Sequence, residues 1–148
     1  MITIKIIKKD DTKRIEYIGN KTLPIYYSAF ELFMMMFSSS YIILKASYNE
    51  TVVGFCVIQK FKNDKRLHIM SIGVLDEYRK KGIGGALMKK LQVIANDESY
   101  DKISLYVKVD NDLAINFYTK NNFKNIELLK NYYSSFKNND AYYLIHEL

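Results

Sequence analysis

The sequence holds no tryptophan, one proline and one cysteine among 148 residues. A single cysteine, Cys56, excludes an intrachain disulfide. Its place in the apolar run VVGFCVIQ suits a small buried hydrophobe rather than a reactive thiol. No stretch approaches the ~18 apolar residues that a membrane helix requires. The opening MITIKIIKKDD lacks the continuous apolar segment of a signal peptide. A cytoplasmic, soluble chain is the expectation. Zinc-ligand spacing is absent, so no metal is expected. A nucleic-acid motif and any run of five basic residues are absent too. With no repeat and no low-complexity linker, residues 1–148 read as a single domain.

What is present is a globular balance, with 49% hydrophobic and 26% charged residues. The net charge of +6 points to a polyanionic partner. Without a nucleic-acid motif, a phosphorylated cofactor is the more economical choice. Strand-like alternation appears at 2–8, and short helices are predicted over 10–20 and 28–39. Pro24 marks the break between them. Ser28 followed by Glu31 predicts a capping box. The Met34-Met35-Met36 run reads as adaptable packing. Two strands joined at Asn49-Glu50 lead through a hairpin at 62–65 to a third strand, 66–75. Next comes a helix with Ile83, Leu87, Leu91 and Ile94 on one face. A strand at 102–109, a helix capped by Asp110 or Asn111, and two closing strands complete the chain. The order β-α-α-β-β-β-α-β-α-β-β predicts an α/β (α+β) fold with a mixed sheet of about seven strands and about four helices.

The strongest local signal is EYRKKGIGGALMKK, in which a strand gives way to a glycine-rich turn that opens an amphipathic helix. Gly82, Gly84 and Gly85 let a ligand approach the backbone, and N–H groups at a helix start suit an anion. Arg79, Lys80 and Lys81 add positive charge. The Walker pattern is missing, and the dinucleotide fingerprint fails because Leu87 stands where it needs a small residue.

The remaining pattern, Arg79-Lys80-Lys81-Gly82-Ile83-Gly84, resembles the acyl-CoA loop of the GNAT acetyltransferases. NDLAINFYTKNNF, from Asn111 to Phe123, resembles that family's second signature. The resemblance spans the whole chain and is weakest over its first 20 residues. From about Leu23 onward it is greatest to members that acetylate protein N-termini beginning with Met and a hydrophobic residue. It implies acetyl-CoA as cofactor, with contacts at Ile72 and Val74 on the strand, and at Arg79, Lys80, Lys81, Gly82, Ile83, Gly84 and Gly85 on the loop. Asn111, Ala114, Tyr118 and Lys120 would hold the other side. Tyr118 would also protonate the departing thiolate. The peptide would be framed by Leu23, Pro24, Ile25 and Tyr27, by Met70, and by Tyr132, Tyr133 and Phe136. Implied partners are nascent protein N-termini, with a NatA-type auxiliary subunit and the ribosome as further candidates.

The two histidines differ in promise. His146, near the last residue, reads as structural. His68, in RLHIMSIGVL, stands where the family pattern has Tyr, and Tyr106 stands where it has His. The resemblance therefore implies a catalytic pair in exchanged places, with His68 as base and Tyr106 as its orienting partner around one water. Strand alternation would put His68, Met70, Ile72 and Val74 on one face. Acetylation of a lysine or small amine, or a weakly active CoA-binding subunit of a ribosome-associated complex, remain alternatives.

Overall fold

The computed structural model describes residues 1–133 and 140–148. One seven-stranded sheet, in the order β1-β2-β3-β4-β5-β7-β6, organises the chain. Its strands are β1 (Ile2–Ile6), β2 (Tyr41–Tyr48), β3 (Thr51–Phe61), β4 (Arg66–Val74), β5 (Lys102–Lys108), β6 (Lys124–Leu129) and β7 (Ala141–Glu147). Every neighbouring pair is antiparallel except β4–β5, so the sheet is mixed as predicted. Four helices accompany it: α1 (Thr12–Thr22), α2 (Ala29–Met35), α3 (Ile83–Asp97) and α4 (Asp112–Lys120).

Local chemistry explains these helices. α1 buries Ile15, Ile18 and Gly19, one stripe at helical spacing. α2 starts at the predicted capping box: Ser28 Oγ accepts from the Glu31 amide, and the Ser28 amide donates to Glu31 Oε1. α3 buries Ile83, Leu87 and Leu91, three of the four residues expected from its periodicity, together with Met88 and Ala95, while the fourth, Ile94, is half-buried. Asn111, one of the two predicted caps, accepts from the Ala114 amide at α4. α1 packs on β3 and β4, and α3 reaches across β1 to β4. A Cβ on Gly73 would lie 2.6 Å from Thr22 Oγ1 and 2.9 Å from Phe55, so only glycine lets the end of α1 sit this close to β4.

Two irregularities in β4 set the geometry around His68. The first is where its pairing stops. The parallel ladder to β5 covers only Arg66–Ile69 against Lys102–Leu105. Beyond Ile69 the strands part, and residues 70–74 of β4 keep β3 as their only strand neighbour among the described residues. The second is a β-bulge. Ile58 pairs with Ile69 and Val57 with Ser71, which leaves Met70 unpaired. Paired residues share a face, so the bulge moves His68 onto the face of Ser71 and Gly73. Ile72 and Val74 lie on the opposite one, with Ile69. The expectation that His68, Met70, Ile72 and Val74 share a face is thus corrected: one extra residue reverses the alternation.

Candidate active site

Where β4 and β5 part, a cleft of about 320 Å³ opens. Gln59, Phe61, Arg66, His68, Ile69, Met70, Tyr106, Tyr132 and Tyr133 line it. Three strands supply the first seven, and the segment following β6 supplies the two tyrosines. Five residues expected from sequence therefore meet here: His68, Met70, Tyr106, Tyr132 and Tyr133. The bulge leaves Met70 39% exposed, free to turn into the opening.

The aromatic rings form a continuous wall. His68 and Tyr106 have centroids 5.0 Å apart at 61°. Tyr106 stacks on Tyr132 at 4.6 Å, and Tyr132 meets Tyr133 edge-on at 4.9 Å. Burial raises the pKa of Tyr132 and pushes Tyr133 up to about 12, so both phenols stay neutral. His68 is only 7% exposed. Burial first, then the Arg66 guanidinium, hold it down to about 4, so the ring is neutral at pH 7. Its Nδ1 lies 2.7 Å from Ser104 Oγ. Arg66 stacks on Phe61 at 4.4 Å and is tied to Asp64 by a 2.7 Å hydrogen bond. No carboxylate lines the cleft among the described residues.

The glycine loop lies beyond the C-terminal end of β4. Gly82 adopts φ +85°, a left-handed conformation that favours glycine, and it precedes the first turn of α3. The first hydrogen bond of the helix runs from the Ala86 amide to Gly82. The amides of Ile83, Gly84 and Gly85 therefore have no helical partner. A Cβ on Gly82 or Gly85 would touch nothing within 4 Å, so the backbone is open on that side. At Gly84 it would strike the Phe117 ring at 3.0 Å, which brings α4 against this loop. Arg79 pairs with Asp76 at 3.2 Å, Lys80 sits at φ 63°, and Lys81 lies over the Tyr48 ring. This open, amide-rich and cationic turn fits the pyrophosphate of a coenzyme A ester.

The other expected residues lie around these two features. Ile72 and Val74 occupy the part of β4 that has left β5. Tyr118 is buried against Phe117 and Phe123. Burial raises its pKa well above the ordinary phenol value, so the hydroxyl keeps its proton. Asn111 is exposed and occupied with capping, Ala114 packs on the core, and Lys120 is exposed at the end of α4. Leu23 and Tyr27 also pack on the core, whereas Pro24 and Ile25 are exposed. These four do not line the cleft; their loop joins the end of α1 that rests on Gly73. Phe136 lies outside the described residues. His146 packs edge-on to Phe123, and its buried Nδ1 has no hydrogen-bond partner among the described residues, which fits a structural part. Met35 and Met36 line a second cavity of about 250 Å³. Among the described residues, no cluster of three or more His, Cys, Asp or Glu could hold a metal. No described helix is long and apolar enough to cross a membrane.

Arg66, Phe61, Gln59 and Ser104 escape sequence reasoning. They belong to no motif, and the parallel β4–β5 register that sets Ser104 beside His68 has no local signal.

A family model described as the acetyltransferase (GNAT) family matches residues 10–123, and the chain belongs to that family. N-alpha-acetyltransferase 50 of Danio rerio is 39% identical over 102 residues, 67% of this chain and 61% of that protein. The chain thus spans less than two thirds of that relative's length. An N-alpha-acetyltransferase of Saccharolobus solfataricus is 32% identical over 99% of this chain and 93% of its own. Among solved structures, Ard1 from Thermoplasma volcanium has a TM-score of 0.88 at 27% identity, covering 99% of this chain and 97% of that one. Arabidopsis thaliana Naa50 in complex with the bisubstrate analogue CoA-Ac-MVNAL shares the fold at a TM-score of 0.83 and 23% identity, covering 99% of both chains.

Proposed function

We propose that this chain is an N-terminal protein acetyltransferase that moves acetyl from acetyl-CoA to the α-amine of polypeptides beginning with Met and a hydrophobic residue. The observation that carries this reading is the cleft: a largely aromatic opening in which Phe61, His68, Met70, Tyr106, Tyr132 and Tyr133 meet, with no carboxylate among the described residues that line it. A Met side chain suits Phe61, Met70 and the tyrosines. Likeness to relatives named N-alpha-acetyltransferases supports the same choice.

The amine itself favours it. An N-terminal amine has a pKa near 8 and a lysine amine about 10.4, a gap worth about 3 kcal/mol in forming the neutral nucleophile. An N-terminus therefore needs little help to lose its proton. When bound, acetyl-CoA supplies the activated acetyl group. Arg79, Lys80, Lys81 and the amides up to Gly85 would hold its phosphates, Ile72 and Val74 its pantetheine arm, and Asn111, Ala114 and Lys120 the far side. His68 and Tyr106 flank the water through which the amine gives up its proton. Tyr118, buried and protonated, donates to the leaving sulfur. Tyr132 and Tyr133 line the peptide path, and Leu23, Pro24, Ile25 and Tyr27, outside the cleft itself, would meet the peptide beyond it. In cells such an enzyme would meet nascent chains in the cytoplasm, beside the ribosome and an auxiliary subunit, as the catalytic part of NatE.

Acetyl-CoA turnover on a peptide panel tests the proposal. Met-Leu should be preferred over Met-Ala, Ser-Glu and an N-blocked lysine peptide. Turnover confined to the lysine peptide, or none on any free N-terminus, overturns it.

A further inference from the structure

His68, Ser104 and Arg66 form a hydrogen-bonded chain whose direction is set by its members. Arg66 Nη1 donates to Ser104 Oγ at 2.8 Å and lies 3.4 Å from His68 Nδ1. Ser104 Oγ is 2.7 Å from the same Nδ1. Ser104 is fully buried, and parallel register sets it directly beside His68. A guanidinium only donates and does not lose its proton near neutral pH. A hydroxyl has one proton to give. With Arg66 donating to Ser104, that proton is satisfied by donation to Nδ1. In the opposite direction, Nδ1–H would face the guanidinium N–H across 3.4 Å, and the buried Ser104 proton would need another acceptor. Arg66 is itself immobilised, since its Nε donates to Asp64 at 2.7 Å and its plane lies on Phe61. Asp64 is held in turn by Lys102 at 3.5 Å.

We propose that Arg66 and Ser104 are positioning residues that lock His68 as its Nε2–H tautomer, so that His68 serves the cleft as a hydrogen-bond donor rather than as the base. Nδ1 is occupied from two sides, and Nε2 carries the ring's single proton. The ring then grips an oxygen, that of the water beside Tyr106 or of a substrate peptide carbonyl. The amine's proton passes through that water to bulk solvent, and no proton is stored on the imidazole. This revises the base expected at His68 from the family pattern. Its catalytic meaning rests on the acetyltransferase reading; the tautomer itself does not.

The test is two-bond ¹H–¹⁵N correlation NMR on ¹⁵N-histidine-labelled protein at pH 7. Only two histidines are present, and a His146→Gln sample assigns the spectrum. Wild type should show a protonated Nε2 and an unprotonated, hydrogen-bonded Nδ1 at His68. Arg66→Met keeps the stacking volume on Phe61 but removes the obligate donor, and should release a mixture of tautomers. Arg66→Lys, again donor-only, should restore the wild-type pattern, which separates direction-setting from packing. On a Met-Leu peptide, Arg66→Met should lower kcat by about 10-fold with KM little changed, as for a group acting through a catalytic hydrogen bond. A wild-type ring protonated at Nδ1, or an Arg66→Met spectrum identical to wild type, overturns the proposal. If the tautomer is as expected but no peptide turns over, the clamp stands and the functional reading falls.

Discussion

Mild acid should destabilise this protein through His68, by an amount the structure sets. The buried ring, with Arg66 beside it, titrates near 4. An unfolded imidazole titrates near 6.5. Because the folded value is the lower one, the unfolded chain takes up the proton first. His68 costs nothing above about pH 6.5, and stability is lost as pH falls from there toward 4. At pH 5 the unfolded ring is almost wholly protonated and the folded ring about one-tenth so, a loss of about 2 kcal/mol relative to pH 7. That is a large fraction of a typical domain's stability. His146, also lowered by burial, acts in the same direction. Asp64, held below the usual carboxylate range by its hydrogen bond from Arg66, becomes important only near and below pH 4. Urea unfolding of wild type and His68→Gln at pH 7, 6 and 5 isolates the effect. Between pH 7 and 5, wild type should lose about 2 kcal/mol more than the variant. Equal losses would show that His68 is neither buried nor held neutral in solution.

Three further outcomes rest on the same geometry. Gly82→Ala forces a Cβ into the left-handed conformation at φ +85°, and thermal unfolding should report about 1 kcal/mol of destabilisation. Calorimetry on that variant should also show weaker acetyl-CoA binding, because the open side of the loop is filled. Tyr118→Phe should reduce kcat on a Met-Leu peptide by at least about 10-fold with peptide KM nearly unchanged, the pattern of a lost proton donor; an unchanged kcat would remove Tyr118 from the chemistry. Cys56 is 1% exposed and burial pushes its thiol well up, so an aromatic disulfide reagent should label it in urea and leave it untouched in the native protein.

The glycine loop was legible in sequence because its reasons are local. A left-handed turn favours glycine at position 82, and an anion-binding helix start needs amides without bulky neighbours. The same holds for the caps at Ser28 and Asn111 and for the buried stripe of α3. Each depends on residues within a turn or two of one another. The faces of β4 were not legible in this way. Alternation carries a strand only as far as its register is regular, and the bulge at Met70 depends on how β3 lays itself against β4. The substrate-side expectations show a similar divide. Tyr132 and Tyr133 reach the cleft, whereas Leu23, Pro24, Ile25 and Tyr27 do not line it.

By itself, then, the sequence determined the element order, the mixed sheet and the phosphate-type turn, since periodicity, caps and glycine placement act over short distances, whereas His68, Tyr106, Tyr132 and Tyr133 were expected at the site only from the family resemblance. Tertiary structure alone decided where β4 and β5 part, which way Met70 turns, and that Ser104 stands beside His68 with Arg66 behind both. Those are cross-strand facts: Ser104 lies on β5 and Arg66 and His68 on β4, brought together by parallel pairing. That pairing decides which nitrogen of His68 holds a proton, because a donor-only guanidinium at one end of a three-membered chain orients every hydrogen bond along it.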